Sequence, residues 1–193
     1  MQKADMLTRL ARELEENAEL PLRESNLVFG EGNAHAKVMF IGEAPGFHEN
    51  EARRPFVGRA GKLLNKLIEE IGWKREDVYI TNIVKRRPPE NRDPSPDEIA
   101  AYSPYLARQI EIIDPLVIVT LGRFSMNYFV PTLKITKDQG KVFRLGKRFL
   151  YPVFHPAAAL RSPDMMEEFR KSIKKLPAVV KKCESLLKED AVS

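Results

Sequence analysis

Ala36-Lys37-Val38-Met39-Phe40-Ile41-Gly42 decides the fold. A short continuous apolar run closed by glycine predicts a strand buried on both faces. Two more runs repeat the pattern. Val78 to Val84 is the second, and Leu116 to Leu121, stopped by Gly122, is the third. Helical patterns lie between them. Gly58 to Gly72 puts Leu63, Leu64, Leu67, Ile68 and Ile71 on one face, with Gly72 as the stop. Pro96 to Ile113 starts with Ser95 as cap, Pro at its first position and Glu98 in its first turn. Strands alternating with helices imply a parallel sheet covered on both sides.

The flanks extend this reading. Asp5 to Glu19 has helical spacing at Met6, Leu7, Leu10 and Leu14, and Pro21 ends it. A short helix is expected at Arg123 to Phe129. Val142 to Leu145 and Arg148 to Phe154 form either a hairpin around Gly146 or a fourth strand preceded by an edge strand. Asp164 to Lys188 is a basic helix with Pro177 as a point for a bend. The expectation is one three-layer α/β/α domain over residues 1–193, with about four mainly parallel strands.

Of the 193 residues, 43% are apolar and 31% charged, as in a water-soluble globular protein. The first fifteen residues lack an apolar signal core, and no stretch is long and apolar enough to span a membrane, so an intracellular site is expected. Cys183 stands alone, which excludes an internal disulfide and a Cys-based metal site. The net charge of +5 permits a polyanionic partner without requiring one.

Ligands of open α/β sheets bind beyond the carboxyl ends of the strands. Three strand ends here carry chemistry: Gly42-Glu43-Ala44-Pro45-Gly46 with Phe47, His48 and Glu49; Thr81-Asn82 running into Lys85-Arg86-Arg87-Pro88-Pro89; and His155-Pro156. Singly, each has a plain structural reading as a turn, a cap or a solvated loop. Together they put carboxylates, an amide, an imidazole, Phe56 and arginines in one cleft. Competing motifs fail. Gly58-Arg59-Ala60-Gly61-Lys62-Leu63 lacks the first glycine and the Ser or Thr of a phosphate loop. His35, His48 and His155 lack metal-ligand spacing, and Ser125 is not in a nucleophile elbow.

At these residues the sequence resembles the uracil-DNA glycosylase superfamily, most closely its family 4, the thermostable type. The matching segments are Val28 to Asn33, Gly42 to Gly46 with Glu49, Arg54 to Gly61, Thr81 to Lys85, Arg87 to Arg92, and His155-Pro156 leading to Leu160-Arg161. The resemblance implies removal of uracil from double- or single-stranded DNA by hydrolysis of its N-glycosidic bond, by a monomer. It implies that Asn82 reads the base, Phe56 stacks on it, and His155 faces O2. It gives Gly42, Ala44, Pro45 and Gly46 to the pocket wall. Glu49 would exclude the thymine methyl, and Glu43 would orient water or stabilise the sugar cation. Lys85, Arg87 and Arg92 would meet phosphates, and Leu160 with Arg161 would wedge into the duplex.

Family 4 members share four cysteines that hold an iron–sulfur cluster. Those positions fall at Asn17, Leu20, Arg86 and Tyr102 here, and none is a ligand for iron, so no cofactor is expected. The four are expected to meet in space, with Leu20 and Tyr102 filling volume and Arg86 supported by Tyr102, the Asn17 carbonyl or Glu19. Ala157 stands where relatives usually carry Ser. A non-catalytic damage-binding relative, or an enzyme with wider base range, are the alternatives. A charge-rich, Cys-poor composition points to a hot environment.

Overall fold

The structure is a computed structural model and describes residues 2–190. Strands β1 (Glu31–Gly32), β2 (Val38–Gly42), β3 (Tyr79–Asn82), β4 (Val117–Leu121), β5 (Phe143–Leu145) and β6 (Arg148–Val153) form one sheet in the order β1-β3-β2-β4-β6-β5. The four middle strands are parallel. β1 and β5 add antiparallel edges. The helices are α1 (Lys3–Glu16), α2 (Phe47–Ala52), α3 (Arg59–Glu70), α4 (Pro96–Ile113), α5 (Arg123–Phe129), α6 (Ile135–Asp138), α7 (Pro156–Ala159) and α8 (Pro163–Asp190).

Alternation along β2 explains the layers. Val38 and Phe40 pack with Leu64, Leu67 and Ile68 of α3 and with Phe169, Ile173 and Leu176 of α8. Met39 and Ile41 pack with Leu7, Leu10 and Leu14 of α1 and with Leu106, Ile110 and Ile113 of α4. Both faces are covered, so the strand is apolar at every position. The Ser95 cap forms in full: Ser95 Oγ accepts from the Glu98 N–H at 3.2 Å, and Glu98 Oε2 accepts from the Ser95 N–H at 2.8 Å. α1 stops at Glu16, earlier than its pattern suggests. Asn17 leaves the helical region, and its Oδ1 accepts from the Glu19 N–H at 3.0 Å. α8 runs through Pro177 as one helix. Among the described residues, no helix is long and apolar enough to cross a membrane.

β3 lies on one side of β2 and β4 on the other. The chain therefore reverses its direction of travel at β2, and a crevice opens beyond its carboxyl end.

The segments that carry the four positions corresponding to cluster cysteines are joined by direct contacts. Tyr102 is fully buried, and its hydroxyl donates to the Pro21 carbonyl at 2.6 Å. Leu20 is buried in the same cluster of apolar residues. Asn17 Nδ2 donates to the Tyr105 hydroxyl at 2.8 Å. Arg86 reaches Glu15 Oε2 at 2.6 Å and the Ser25 carbonyl. Its carboxylate partner is Glu15, not Glu19, and the Asn17 carbonyl is taken instead by Arg23 at 2.6 Å. Burial pushes the Tyr102 phenol up, and the nearby Arg86 charge opposes this. An amide, an alkyl chain, a guanidinium and a phenol do not fit an iron–sulfur cluster. The corner is closed by packing and hydrogen bonds instead.

Arg86→Ala leaves the Ser25 carbonyl unpaired and is expected to cost about 1–3 kcal/mol, seen as a lower melting temperature. Treatment of the parental protein with an iron chelator is expected to leave its melting temperature unchanged. A drop on chelation would mean that a metal holds this corner.

Candidate active site

The crevice holds a cavity of about 280 Å³. Glu43 to Gly46, Glu49, Phe56, Asn82 and His155 line it, with Ala60, Asn91, Arg92, Asp93 and Ala157. All three chemistry-bearing strand ends therefore converge.

Gly42 is the hinge of the arrangement. It pairs with Asn82 in the β2–β3 register. A Cβ on Gly42 would lie 2.4 Å from Asn82 Oδ1 and 2.5 Å from Phe56 Cζ. Only glycine lets the ring and the amide close over the strand end. Phe56 holds φ at 51°, a left-handed conformation that costs a bulky residue on the order of 1–3 kcal/mol. Two features fix it there. A Cβ on Gly61 would fall 1.9 Å from the Phe56 carbonyl oxygen, so α3 starts directly under the Phe56 backbone. Arg75 donates to the Pro55 carbonyl at 2.5 Å, to Asn65 Oδ1 at 2.5 Å and to Glu31 Oε1 at 2.7 Å. Burial raises the Glu31 pKa, but the hydrogen bonds from Arg54 and Arg75 more than offset this and hold it below the ordinary carboxylate value.

Glu49 is aimed by backbone. Its Oε1 accepts from the Val57 and Gly58 N–H groups at 3.0 and 2.8 Å. A Cβ on Gly46 would approach Glu49 Oε2 to 2.9 Å, so the turn leaves room for the carboxylate.

His155 precedes α7, and its Nδ1 accepts from the Ala157 N–H at 3.1 Å. That bond assigns the proton to Nε2. Burial lowers its pKa to about 4; Glu49 opposes the shift and Arg161 adds to it. The imidazole is neutral near pH 7, and its ring lies 5.9 Å from Phe56 between centroids. Glu43 moves the other way. Burial and the Asp93 charge raise its pKa to about 7, against the pull of Arg123. It changes charge in the middle of the physiological range.

Asn82 is buried, and its Oδ1 has no hydrogen-bond partner among the described residues. A buried amide oxygen without a partner beside a cavity calls for an explanation.

The family model for the uracil DNA glycosylase superfamily matches residues 29–177. The chain belongs to this superfamily. It is 52% identical over 160 residues to the type-4 uracil-DNA glycosylase of Saccharolobus solfataricus, covering 76% of this chain and 74% of that protein. It is 46% identical over 168 residues to the type-4 uracil-DNA glycosylase of Thermotoga maritima, covering 84% and 88%. With the Archaeoglobus fulgidus type-4 uracil-DNA glycosylase the identity is 45% over 162 residues, covering 79% and 81%.

Within this superfamily frame, one expectation needs correction. Lys85 does not face phosphate. Its side chain is fully buried, and Nζ donates to Thr81 Oγ1 at 2.6 Å, to the Asn82 carbonyl at 2.7 Å and to Gln109 Oε1 at 2.6 Å. The Lys85–Arg86 stretch carries charge like a solvated loop, yet both side chains turn inward. Burial lowers the Lys85 pKa. Three acceptors saturate the ammonium. Gln109 also donates to the Phe29 carbonyl and the Tyr79 hydroxyl, each at 3.0 Å. Lys85 thus braces the backbone of Asn82 from behind.

The other basic positions remain at the surface. Arg92 is exposed at the pocket rim and forms a two-point pair with Glu98 at 2.6 and 2.8 Å. Arg87 donates to Asn91 Oδ1 at 2.6 Å. Leu160 and Arg161 are exposed beyond α7. Sequence patterns gave no sign of Arg75 or Gln109: each is a polar residue in an ordinary setting until the tertiary contacts are formed.

Lys85→Met removes three buried hydrogen bonds, and each acceptor left unpaired costs about 1–3 kcal/mol. The variant is expected to melt at lower temperature while the salt dependence of DNA binding stays unchanged. A flattened salt slope would place the ammonium on a phosphate after all.

Proposed function

We propose that this chain is a monofunctional uracil-DNA glycosylase. Uracil, the product of cytosine deamination, leaves the helix stack and enters the cavity. The C1′–N1 bond breaks, and the base departs with the electron pair. Water supplies hydroxide to C1′, and its proton balances the released base. The observation that carries this reading is the Asn82 carboxamide, which lines the cavity and whose buried oxygen has no partner among the described residues. Oδ1 accepts from N3–H and Nδ2 donates to O4. Cytosine reverses this pattern, at a cost of about 1–3 kcal/mol for a mismatched amide.

The remaining roles follow from chemistry. Phe56 stacks on the base. Neutral His155 offers Nε2–H to O2, where negative charge grows; donors so placed are worth roughly 3–4 kcal/mol. The Gly42–Gly46 turn walls the pocket, and Glu49 occupies the side where a thymine methyl would sit. Glu43, when ionised, stabilises the oxocarbenium-like sugar or orients water. Leu160 and Arg161 fill the gap left by the flipped nucleotide. Arg87 and Arg92 meet the backbone. The chain acts on double- or single-stranded DNA inside the cell, as a monomer and through one domain. Strand cleavage would need an amine nucleophile. No lysine lines the cavity among the described residues, and the Lys85 amine is enclosed behind Asn82.

Asn82→Ala and His155→Ala are each expected to lower the single-turnover rate on a uracil oligonucleotide by about 10²-fold or more, with DNA affinity nearly unchanged. Alkali treatment and a sizing gel read the product. Parental rates for Asn82→Ala would end the pocket assignment, and a borohydride-trapped adduct would end the monofunctional one.

Glu43 gives a signed pH dependence. The parental rate is expected to rise through about pH 7 as Glu43 ionises, and Glu43→Gln is expected to flatten that limb. Stability moves oppositely. Above pH 7 the carboxylate is charged in both the folded and unfolded states, and burial penalises it only when folded. Glu43→Gln is therefore expected to raise the melting temperature at pH 8 and to leave it unchanged below the unfolded value of 4.5. A lower melting temperature at pH 8 would contradict the burial argument.

A further inference from the structure

Large apolar side chains are exposed at three places among the described residues: Phe47, Val142 and Leu160. Two of the three stand close in the chain to residues that line the cavity. Leu160 follows the His155–Ala157 wall, and Phe47 directly follows Gly46. The Leu160 corner is already assigned to the duplex gap, whereas Phe47 has no role in the site described above. Its ring is half exposed, at 50%.

The ring is nevertheless held. The Arg87 guanidinium lies 5.3 Å from its centroid. Arg87 is itself anchored, since its Nε donates to Asn91 Oδ1 at 2.6 Å and its carbonyl accepts from Ser25 Oγ at 2.8 Å. The His48 ring meets Phe47 edge-on at 5.5 Å and 77°. α2 beneath it is tied down by Glu49 to the 57–58 backbone, and by Asn50 Oδ1 to the Asn26 N–H at 2.8 Å. An aromatic ring fixed in solvent beside a guanidinium is the arrangement that stacks unpaired bases along a charged backbone.

We propose that Phe47, braced by Arg87, is a stacking platform for the nucleobase next to the flipped nucleotide. The inference rests on the reading of the cavity as a pocket for a flipped DNA base. Extruding one nucleotide leaves its neighbour unstacked on one face. Phe47 meets that face at one rim of the cavity, as Leu160 fills the duplex at another. Arg87 then sits where the phosphate between the two nucleotides passes. An exposed ring with a guanidinium against it, next in the chain to a cavity-lining residue, suits a strand of bases and phosphates, so the occupant is the DNA strand itself.

The test separates this platform from the excision chemistry. The probe is a single-stranded oligonucleotide with a tetrahydrofuran abasic site flanked by 2-aminopurine, which has no base to excise. Phe47→Ala is expected to bind it about tenfold more weakly and to lose the quenching of 2-aminopurine. Phe47→Trp is expected to restore both. Arg87→Ala is expected to weaken binding with a smaller salt slope. At saturating uracil DNA, the single-turnover rate of Phe47→Ala is expected to match the parent. Parental affinity and quenching in Phe47→Ala would overturn the platform, as would a failure of Trp to rescue. If the parental protein excises no uracil yet Phe47→Ala still weakens abasic-site binding, the proposed activity fails and the platform stands.

Discussion

The absence of a side chain at Gly42 is the constraint on which the site depends. One added carbon would collide with both the Asn82 amide and the Phe56 ring. The two groups that would read and stack a base are thus packed against the same bare strand end. Neither placement is independent of the other. The strained φ of Phe56, the close approach of Gly61 and the Arg75 bonds to the Pro55 turn all serve this one juxtaposition. Backbone strain of this kind persists only where the surroundings over-determine it.

Two cations that look like surface charge are structural. Lys85 saturates three acceptors behind Asn82, and Arg86 ties the first helix to the loop that follows β3. Their burial separates the roles within the Lys85-Arg86-Arg87 run. The first residue supports Asn82 at the pocket wall, the second holds α1, and only the third faces outward. A guanidinium beside a buried phenol thus secures the corner where the resemblance to family 4 would put cluster cysteines. Its strength comes from several ordinary contacts in place of one metal cross-link.

Much of this was legible in the sequence. β2 reads as a buried strand because no position carries a polar side chain, and β4 because Thr120 is its one polar residue, which follows from helices on both faces. The Ser95–Glu98 capping box fixed the start of α4 to the residue. The convergence of Glu43, Asn82 and His155 followed from the rule that ligands sit beyond strand carboxyl ends. Other features were hidden for physical reasons. β1 is two residues long and carries no periodicity. α2 and α7 are six and four residues long, too short to form without tertiary support. Lys85 could not be recognised as buried, because charge favours the surface unless partners enclose it. Thr81 and Asn82 are near in the chain, but Gln109 comes from α4. Arg86 pairs with Glu15 and not with Glu19 because α1 ends at Glu16, a boundary the apolar spacing does not show.

The most direct test of the central claim is the single-turnover uracil excision rate of Gly42→Ala, measured on protein whose folding is verified by its melting curve. The atoms in the way belong to side chains, so the fold can yield where the pocket cannot. The account predicts a folded protein whose rate falls by about 10²-fold or more, the loss expected from a displacement near 1 Å. A folded Gly42→Ala variant with the parental rate would show that Asn82 and Phe56 do not depend on the bare strand end, and would contradict the account.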